Sequence, residues 1–492
     1  MTRFGSGGTG RHAGLGDDGY VLVSRAFLKA LALIYLAAFA SLAVQITALA
    51  GSGGIYPLAE QLAAYGPDWG TRLLRYPSVF WLNASDLALQ VATWAGCGIA
   101  VVLLFGLWER FCLVALFLLY LSLAQAGGIF LNFQWDYLLL EAGFLAIFLP
   151  GRGRLVIWLF RWLLFRLRFL SGLSKLISGD PTWTGLTALN SYFETQPLPH
   201  AGAWYAHHLP DWLLHFGTGA TLFVELVVPF FFFLPRRWRL SGAALTILWQ
   251  LLILVTSNHN FFNLLSLALA LFLLDDRALS HLLPQSWIAR WRQRESARGS
   301  STFARIGAGL TAAVVLPGSL ALAADMVWPG ALPPSALAAV EAVRPFHIVH
   351  RYHVFPTIET ERIELVLEGT ADGETWQEYG FRYKPGDPLK RPPFVVPHQP
   401  RIDWMMWFVP LSPVFLDWFD RFLDRMLAGD PAVLSQLGWN PFPDRPPVAL
   451  RVNIYRYRFT DPQTKAITGA WWQREPLGPF LPLPERRRSN TP

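Results

Sequence analysis

Residues 166–183 read RLRFLSGLSKLISGDPTW. Leucine and phenylalanine dominate the run, and Arg166, Arg168, Lys175 and Asp180 interrupt it. A charge in an apolar segment is costly unless it is paired, reaches the interface or faces a polar cavity, so such residues mark function first. The stretch reads as the end of a membrane-embedded helix, broken at Gly179, Asp180 and Pro181 and anchored by Trp183.

The flanking sequence carries the same signal. Apolar blocks at 26–50, 86–107, 110–127, 136–150, 155–174, 212–234, 240–257, 261–275 and 306–324 reach or approach the length of a hydrocarbon layer. Across 492 residues the chain is 53% hydrophobic and 15% charged, with a mean hydropathy of +0.32, which suits a membrane core joined to a polar domain. The expected fold class is mixed: a polytopic α-helical membrane bundle followed by an extracytoplasmic β-rich domain with short helices. The expected boundaries are a flexible segment over 1–25, about nine spans over 26–324, the β-rich domain over 325–480 and a basic tail over 481–492. Asp136 and Glu141 make 136–150 an atypical span, and Arg161, Arg166 and Arg168 do the same for 155–174.

The net charge of +7 is read as topology, and no nucleic-acid partner is expected, because the basic groups recur between hydrophobic segments. Arg3, Arg11, Arg25 and Lys29 precede the first span, Arg152 and Arg154 follow the fourth, and Arg236, Arg237 and Arg239 separate the sixth from the seventh. The loop 276–305 carries six arginines against two acids. Nine spans with a cytoplasmic N-terminus place all four clusters on the cytoplasmic side and export the C-terminal third. The first apolar stretch shows no small-residue cleavage site and reads as an anchor. Cys97 and Cys112 both lie in apolar segments and read as structural cysteines.

The polar residues of the membrane part form the candidate network: Asp136, Glu141, Arg168, Lys175, Asp180, His215, Glu225, Asn258, His259, Asn260 and Asn263. Asp136 suits a helix start, while Glu141 lies deeper in its apolar run. His215 and Glu225 share an approximate helix face. The His207–His208 pair lacks the surrounding spacing of a metal site, so neither metal nor cofactor is expected. Beyond the last span, 346–355, 361–370 and 378–386 read as strands, and 414–429 as a helix stopped by Gly429 and Pro431. The run 448–459 also reads as a strand, and the closing WWQREPLGPFLPLP as aromatic anchors and rigid turns. Residues 391–408 read as irregular chain entering a short aromatic helix. There is no nucleophile elbow, nucleotide-binding glycine loop or zinc-protease spacing.

Taken together, FQWDYLLLEAGFLAIF (133–148), SGLSKLISGDPTW (171–183) and SNHNFFNLL (257–265) resemble the lipase maturation factor family. So do KRPPFVVPHQPRIDW (390–404), NPFP (440–443), YRYRF (455–459) and GAWWQRE (469–475) in the C-terminal part. The resemblance covers about residues 20–480 and implies a polytopic membrane protein assisting the folding or assembly of secreted lipases. Short loops point to a bacterial-type member in an inner membrane, with the C-terminal domain periplasmic. The Lys175 region is remotely similar to the membrane domain of vitamin K-dependent carboxylases. The leading expectation is a membrane-anchored maturation factor with membrane lipids and an exported client, such as a lipase, as partners. His398, Arg401, Asp403, Trp404 and Trp407 are the candidate client contacts. One alternative is a membrane enzyme acting on a lipid or quinone-like substrate, with Lys175, Glu141 and Glu225 as its candidate catalytic groups; another is a non-catalytic scaffold.

Overall fold

The structure is a computed structural model that describes residues 19–150, 154–296, 302–483 and 485–487. The Gly-rich start, half of the expected tail and Arg3, Arg11, Arg152 and Arg298 of the charge pattern lie outside the described residues. Of the segment expected to be flexible over 1–25, residues from Val21 onward are already helical.

The bundle is built from α1 (Val21–Ala43), α2 (Asp86–Leu104), α3 (Glu109–Gly127), α4 (Gln134–Ala146) and α5 (Arg154–Ile177). After two short helices, α6 (Ala188–Thr195) and α7 (Ala201–His207), come α8 (Asp211–Leu226), α9 (Arg236–Thr256), α10 (Phe262–Ala270) and α11 (Thr302–Val327). Among the described residues, six helical segments are long and apolar enough to cross a membrane: α1, α2, Glu109–Leu131, Asp211–Phe233, α9 and α11. The other three expected spans are helical too, with different character. α4 has 13 residues, the apolar helix at Phe262–Leu273 is short, and α5 has 24 residues but carries Arg161, Arg166, Arg168 and Lys175 among its buried positions. These three pack inside the bundle, with Leu138–Leu140, Leu163–Leu164 and Leu265 all fully buried.

One end of the bundle is held by the acids at 275 and 276. Asp276 accepts hydrogen bonds from the backbone N–H of Val21 (2.9 Å), Leu22 (2.8 Å) and Val23 (3.2 Å), satisfying donors that an N-terminal turn leaves open. Asp275 accepts from Arg236 Nε (2.7 Å) and Arg239 Nη2 (3.0 Å). Part of the basic pattern read as topology is thus also a structural clamp.

At the C-terminal side, a five-stranded antiparallel sheet contains β1 (Arg362–Thr370), β2 (Trp376–Glu378), β3 (Ala449–Phe459), β4 (Trp472–Pro479) and β5 (Glu485–Arg487). The order is β2-β1-β3-β4, with β5 paired to the first residues of β3. Register pairs Arg362 with Tyr457 and Thr370 with Ala449. The helices α12 (Arg401–Met406) and α13 (Leu416–Ala428), with one further α-helical turn at Pro431–Leu434, fill the crossover between β2 and β3. α13 buries Trp418, Phe419, Phe422, Leu423, Met426 and Leu427 and ends at Gly429, whose φ of 72° needs no Cβ relief.

Three expectations change here. The stretch 346–355 forms no strand, because its polar groups bond to the bundle: Tyr352 donates to Glu141 Oε2 (2.7 Å), and the Val354 carbonyl accepts from Lys175 Nζ (2.7 Å). The strand expected over 378–386 shrinks to Trp376–Glu378 and a single bridge between Gly380 and Trp439. The closing WWQREPLGP run, read as anchors and turns, is strand β4.

Candidate functional site

Among the described residues, several buried ionic groups join the bundle to the chain beyond residue 345, and three of them centre on acids within the bundle helices. In the first, Arg401 grips Asp136 with two bonds, Nη1 to Oδ2 at 2.6 Å and Nη2 to Oδ1 at 2.8 Å, while the Tyr120 hydroxyl donates to Oδ1 at 2.6 Å. Arg401 also donates to the Phe130 carbonyl (2.9 Å). In the second, Arg166 pairs with Glu141 and donates to the His350 carbonyl (3.3 Å), and Tyr352 completes the acid's coordination. In the third, Lys175 Nζ bonds Glu225 Oε2 (2.7 Å), the Val354 carbonyl (2.7 Å) and the Ser171 carbonyl (3.3 Å), and lies 5.0 Å from the Trp183 ring centroid. Burying ions is tolerable when most of their hydrogen bonds are made, as they are here except at Arg166 Nε and Arg401 Nε.

The asparagines do similar work. Asn258 donates to the carbonyls of Leu198 (3.1 Å) and Pro393 (2.8 Å) and accepts from Val395 N–H (2.9 Å). Asn260 donates to Gln399 Oε1 (2.7 Å). Asp180 caps the turn at Thr182 and accepts from Ile358 N–H (2.7 Å). His215 is exposed on α8 and outside this network.

The residues proposed for client contact divide. Arg401, Asp403 and Trp404 are buried, because Asp403 accepts from the N–H groups of Tyr383 (2.8 Å) and Lys384 (3.0 Å) and Trp404 packs edge-on against Trp135 at 5.0 Å. Burial raises the Asp403 carboxyl, and those two N–H bonds oppose it. Trp407 is half-buried and donates to the Thr195 carbonyl (2.7 Å). His398 lines an open groove of about 510 Å³ with Tyr383, Phe394 and Gln436, and Phe394 is 58% exposed there. Burial, then the charges of Arg401 and Arg382, push His398 down to about 4.

A second space lies beneath the 354–355 loop, between α5, α8, α9 and α10. It is a cavity of about 80 Å³. Arg168, Lys175, Glu225, His259 and Asn263 from the sequence-derived network line it. Tyr192 also lines it, and sequence reasoning missed Trp249 and Gln250 beside it; a lone Gln in the run ILWQLLIL was the available signal. Tyr192 bonds His259 Nε2 (2.8 Å). Cys97 and Cys112 are free thiols and buried. Among the described residues, no group of three or more His, Cys, Asp or Glu side chains is arranged to hold a metal.

Comparison with known proteins agrees with the sequence motifs on the family and disagrees on the lineage. Residues 22–281 match the lipase maturation factor transmembrane domain, and 348–482 match the lipase maturation factor C-terminal domain. Lipase maturation factor 1 of Bos taurus is 35% identical over 96% of this chain and 91% of its own length. The Homo sapiens protein of that name is 34% identical over 97% and 90%. Lipase maturation factor 2 of Rattus norvegicus is 34% identical over 93% of this chain and 82% of its own length. No solved structure matches. These relatives are vertebrate proteins, which overturns the expectation of a bacterial-type member in a bacterial inner membrane. Loop length misled because short connections follow from tight helix packing and carry no lineage signal.

Proposed function

This chain is a membrane protein that belongs to the lipase maturation factor family, and we propose that it acts on client proteins as those relatives' names describe, as a maturation factor for lipases. The observation carrying the proposal is that similarity runs through both the bundle and the C-terminal region, covering 96% of this chain against the bovine protein. The buried ion groups support a working unit in which the C-terminal region is held rigidly on the bundle, not tethered by a linker. The client contact proposed for 391–408 falls on the open groove at Phe394 and His398, since Arg401, Asp403 and Trp404 are already engaged inside. An acid/base role for Lys175 is not part of this proposal, because all three ammonium donors are taken.

The test is complementation in eukaryotic cells lacking their own lipase maturation factors, with lipase activity per mass of secreted lipase as the readout. The full-length chain should raise this ratio above the empty vector, and Phe394→Asp should lower it without changing the level of inserted protein. Full-length, membrane-inserted protein that leaves the ratio at the empty-vector value would refute the proposal.

A further inference from the structure

Among the described residues, seven arginines are buried: Arg25, Arg161, Arg166, Arg168, Arg239, Arg362 and Arg401. Six have partners: Arg25 pairs with Glu109, Arg166 with Glu141, Arg239 with Asp275, Arg362 with Glu364 and Arg401 with Asp136, while Arg161 donates to the Phe272 carbonyl. Arg168 is the exception: among the described residues it has no hydrogen bond and no ion pair within contact distance, and the charge of Glu225 acts on it from farther off. It is 5% exposed, and its Nε and Nη2 have no hydrogen-bond partner. A guanidinium is always charged and offers five donors, so an unpaired one in an apolar interior is a large unmet cost.

Arg168 lines the cavity between α5, α8, α9 and α10. Its neighbours there are unmet in the same sense: Trp183 Nε1, Trp249 Nε1 and Asn263 Nδ2 lack acceptors, and Gln250 Oε1 lacks a donor. Four unsatisfied side chains thus offer donors and one offers an acceptor. The formal charge is also unbalanced, since Lys175 already holds Glu225 at 2.7 Å. Excess donors with excess positive charge call for an oxyanion.

Size and surroundings define the rest of the ligand. The cavity volume of about 80 Å³ corresponds to roughly five to eight waters at about 10–15 Å³ each, enough for a carboxylate or phosphate and the first methylenes but not for a whole lipid. The wall includes Leu189, Ile253 and Phe355, and the neighbouring outer face of α9 exposes Leu248, Leu252 and Val255. An acyl chain leaving the cavity would find that apolar surface. We propose that this cavity binds the oxyanion headgroup, carboxylate or phosphate, of an acyl-chain amphiphile, with Arg168 as its counter-ion. The site is independent of client recognition.

The test uses the purified full-length protein with oleate, dioleoyl phosphatidate, inorganic phosphate and oleyl alcohol as probes, read by native mass spectrometry and by the shift in melting temperature. Oleate or phosphatidate should bind one per chain and raise the melting temperature of the wild type, a result that needs no variant; which of the two binds tighter identifies the source of the headgroup. Arg168→Leu should weaken that binding tenfold or more, while its unliganded form melts no lower than the wild type, since an unpaired buried charge has been removed. A purely structural arginine would behave in the opposite way. Arg168→Lys should retain part of the binding. Oleyl alcohol or inorganic phosphate binding as tightly as oleate, no binding of either acidic amphiphile to the wild type, or undiminished binding by Arg168→Leu would each overturn the proposal.

Discussion

Removing Arg401 should undock the C-terminal region from the bundle, and the structure sets the size of the effect. Asp136 is fully buried and Arg401 is 1% exposed, so Arg401→Met leaves a buried carboxylate with only the Tyr120 hydroxyl for company. Breaking a buried pair from one side costs about 3–5 kcal/mol, which at about 1.36 kcal/mol per decade is roughly two to four decades in the docking equilibrium. Asp136→Leu combined with Arg401→Met removes the stranded charge but leaves Tyr120 without its acceptor, a residual cost of about 1–3 kcal/mol. Adding Tyr120→Phe removes that as well. The triple variant should therefore return most of the way to the wild type, short of the bond to the Phe130 carbonyl, worth about 1 kcal/mol. Hydrogen exchange of peptides spanning 399–410, with the melting temperature in detergent as a second readout, ranks the variants. A triple variant as unstable as Arg401→Met, or an Arg401→Met protein within about 1 kcal/mol of the wild type, would refute the view that this pair is a buried docking element.

Three further outcomes follow from other parts of the molecule. His398 titrates near 4 in the fold against about 6.5 in an unfolded chain; between those values the unfolded chain binds more protons, so the fold should lose stability as pH falls from about 6.5 towards about 4. Melting temperature should fall less steeply across that window in His398→Gln, while His200, His207 and His347, depressed in the same way by burial, keep the rest of the slope. A Cβ at Gly172 would sit 2.8 Å from Glu225 Cβ and 2.9 Å from Leu226 Cγ, so Gly172→Val should push α5 off α8 at about 1–3 kcal/mol, seen as a lowered melting temperature that Gly172→Ala only partly reproduces. Asp276→Ala removes the side chain capping three N–H groups of α1 and should cost about 0.5–2 kcal/mol, with faster hydrogen exchange confined to residues 21–25.

What the sequence disclosed follows from the range of the forces involved. Long apolar runs make helices wherever they stand, and β1, β3 and α13 announced themselves by local alternation or by a Gly-Asp-Pro stop. The stretch 346–355 has the same local alternation and forms no strand, because Glu141 and Lys175, about two hundred residues away, claim its hydroxyl and carbonyl groups. Local pattern cannot register a partner at that separation. Client contact was assigned to Arg401, Asp403 and Trp404 for a related reason. Charge and aromatic character mark a residue as important, and only the fold shows whether it faces out or in.

Arg166 and Arg168 show the limit most clearly. They stand two positions apart in one apolar run and are chemically the same, so nothing local separates them. At about 100° per residue they point roughly 200° apart around α5. One meets Glu141 of α4 and the carbonyl of His350; the other meets a cavity whose neighbouring acid, Glu225, is already bonded to Lys175. Lys175 drew attention first because it closes the segment beside a helix break, yet it is the saturated member of the pair. Within this cavity the unmet charge belongs to Arg168, so a ligand that changes the energetics of the bundle would do so there, and Lys175 substitutions should act through the docking of the 354–358 segment instead.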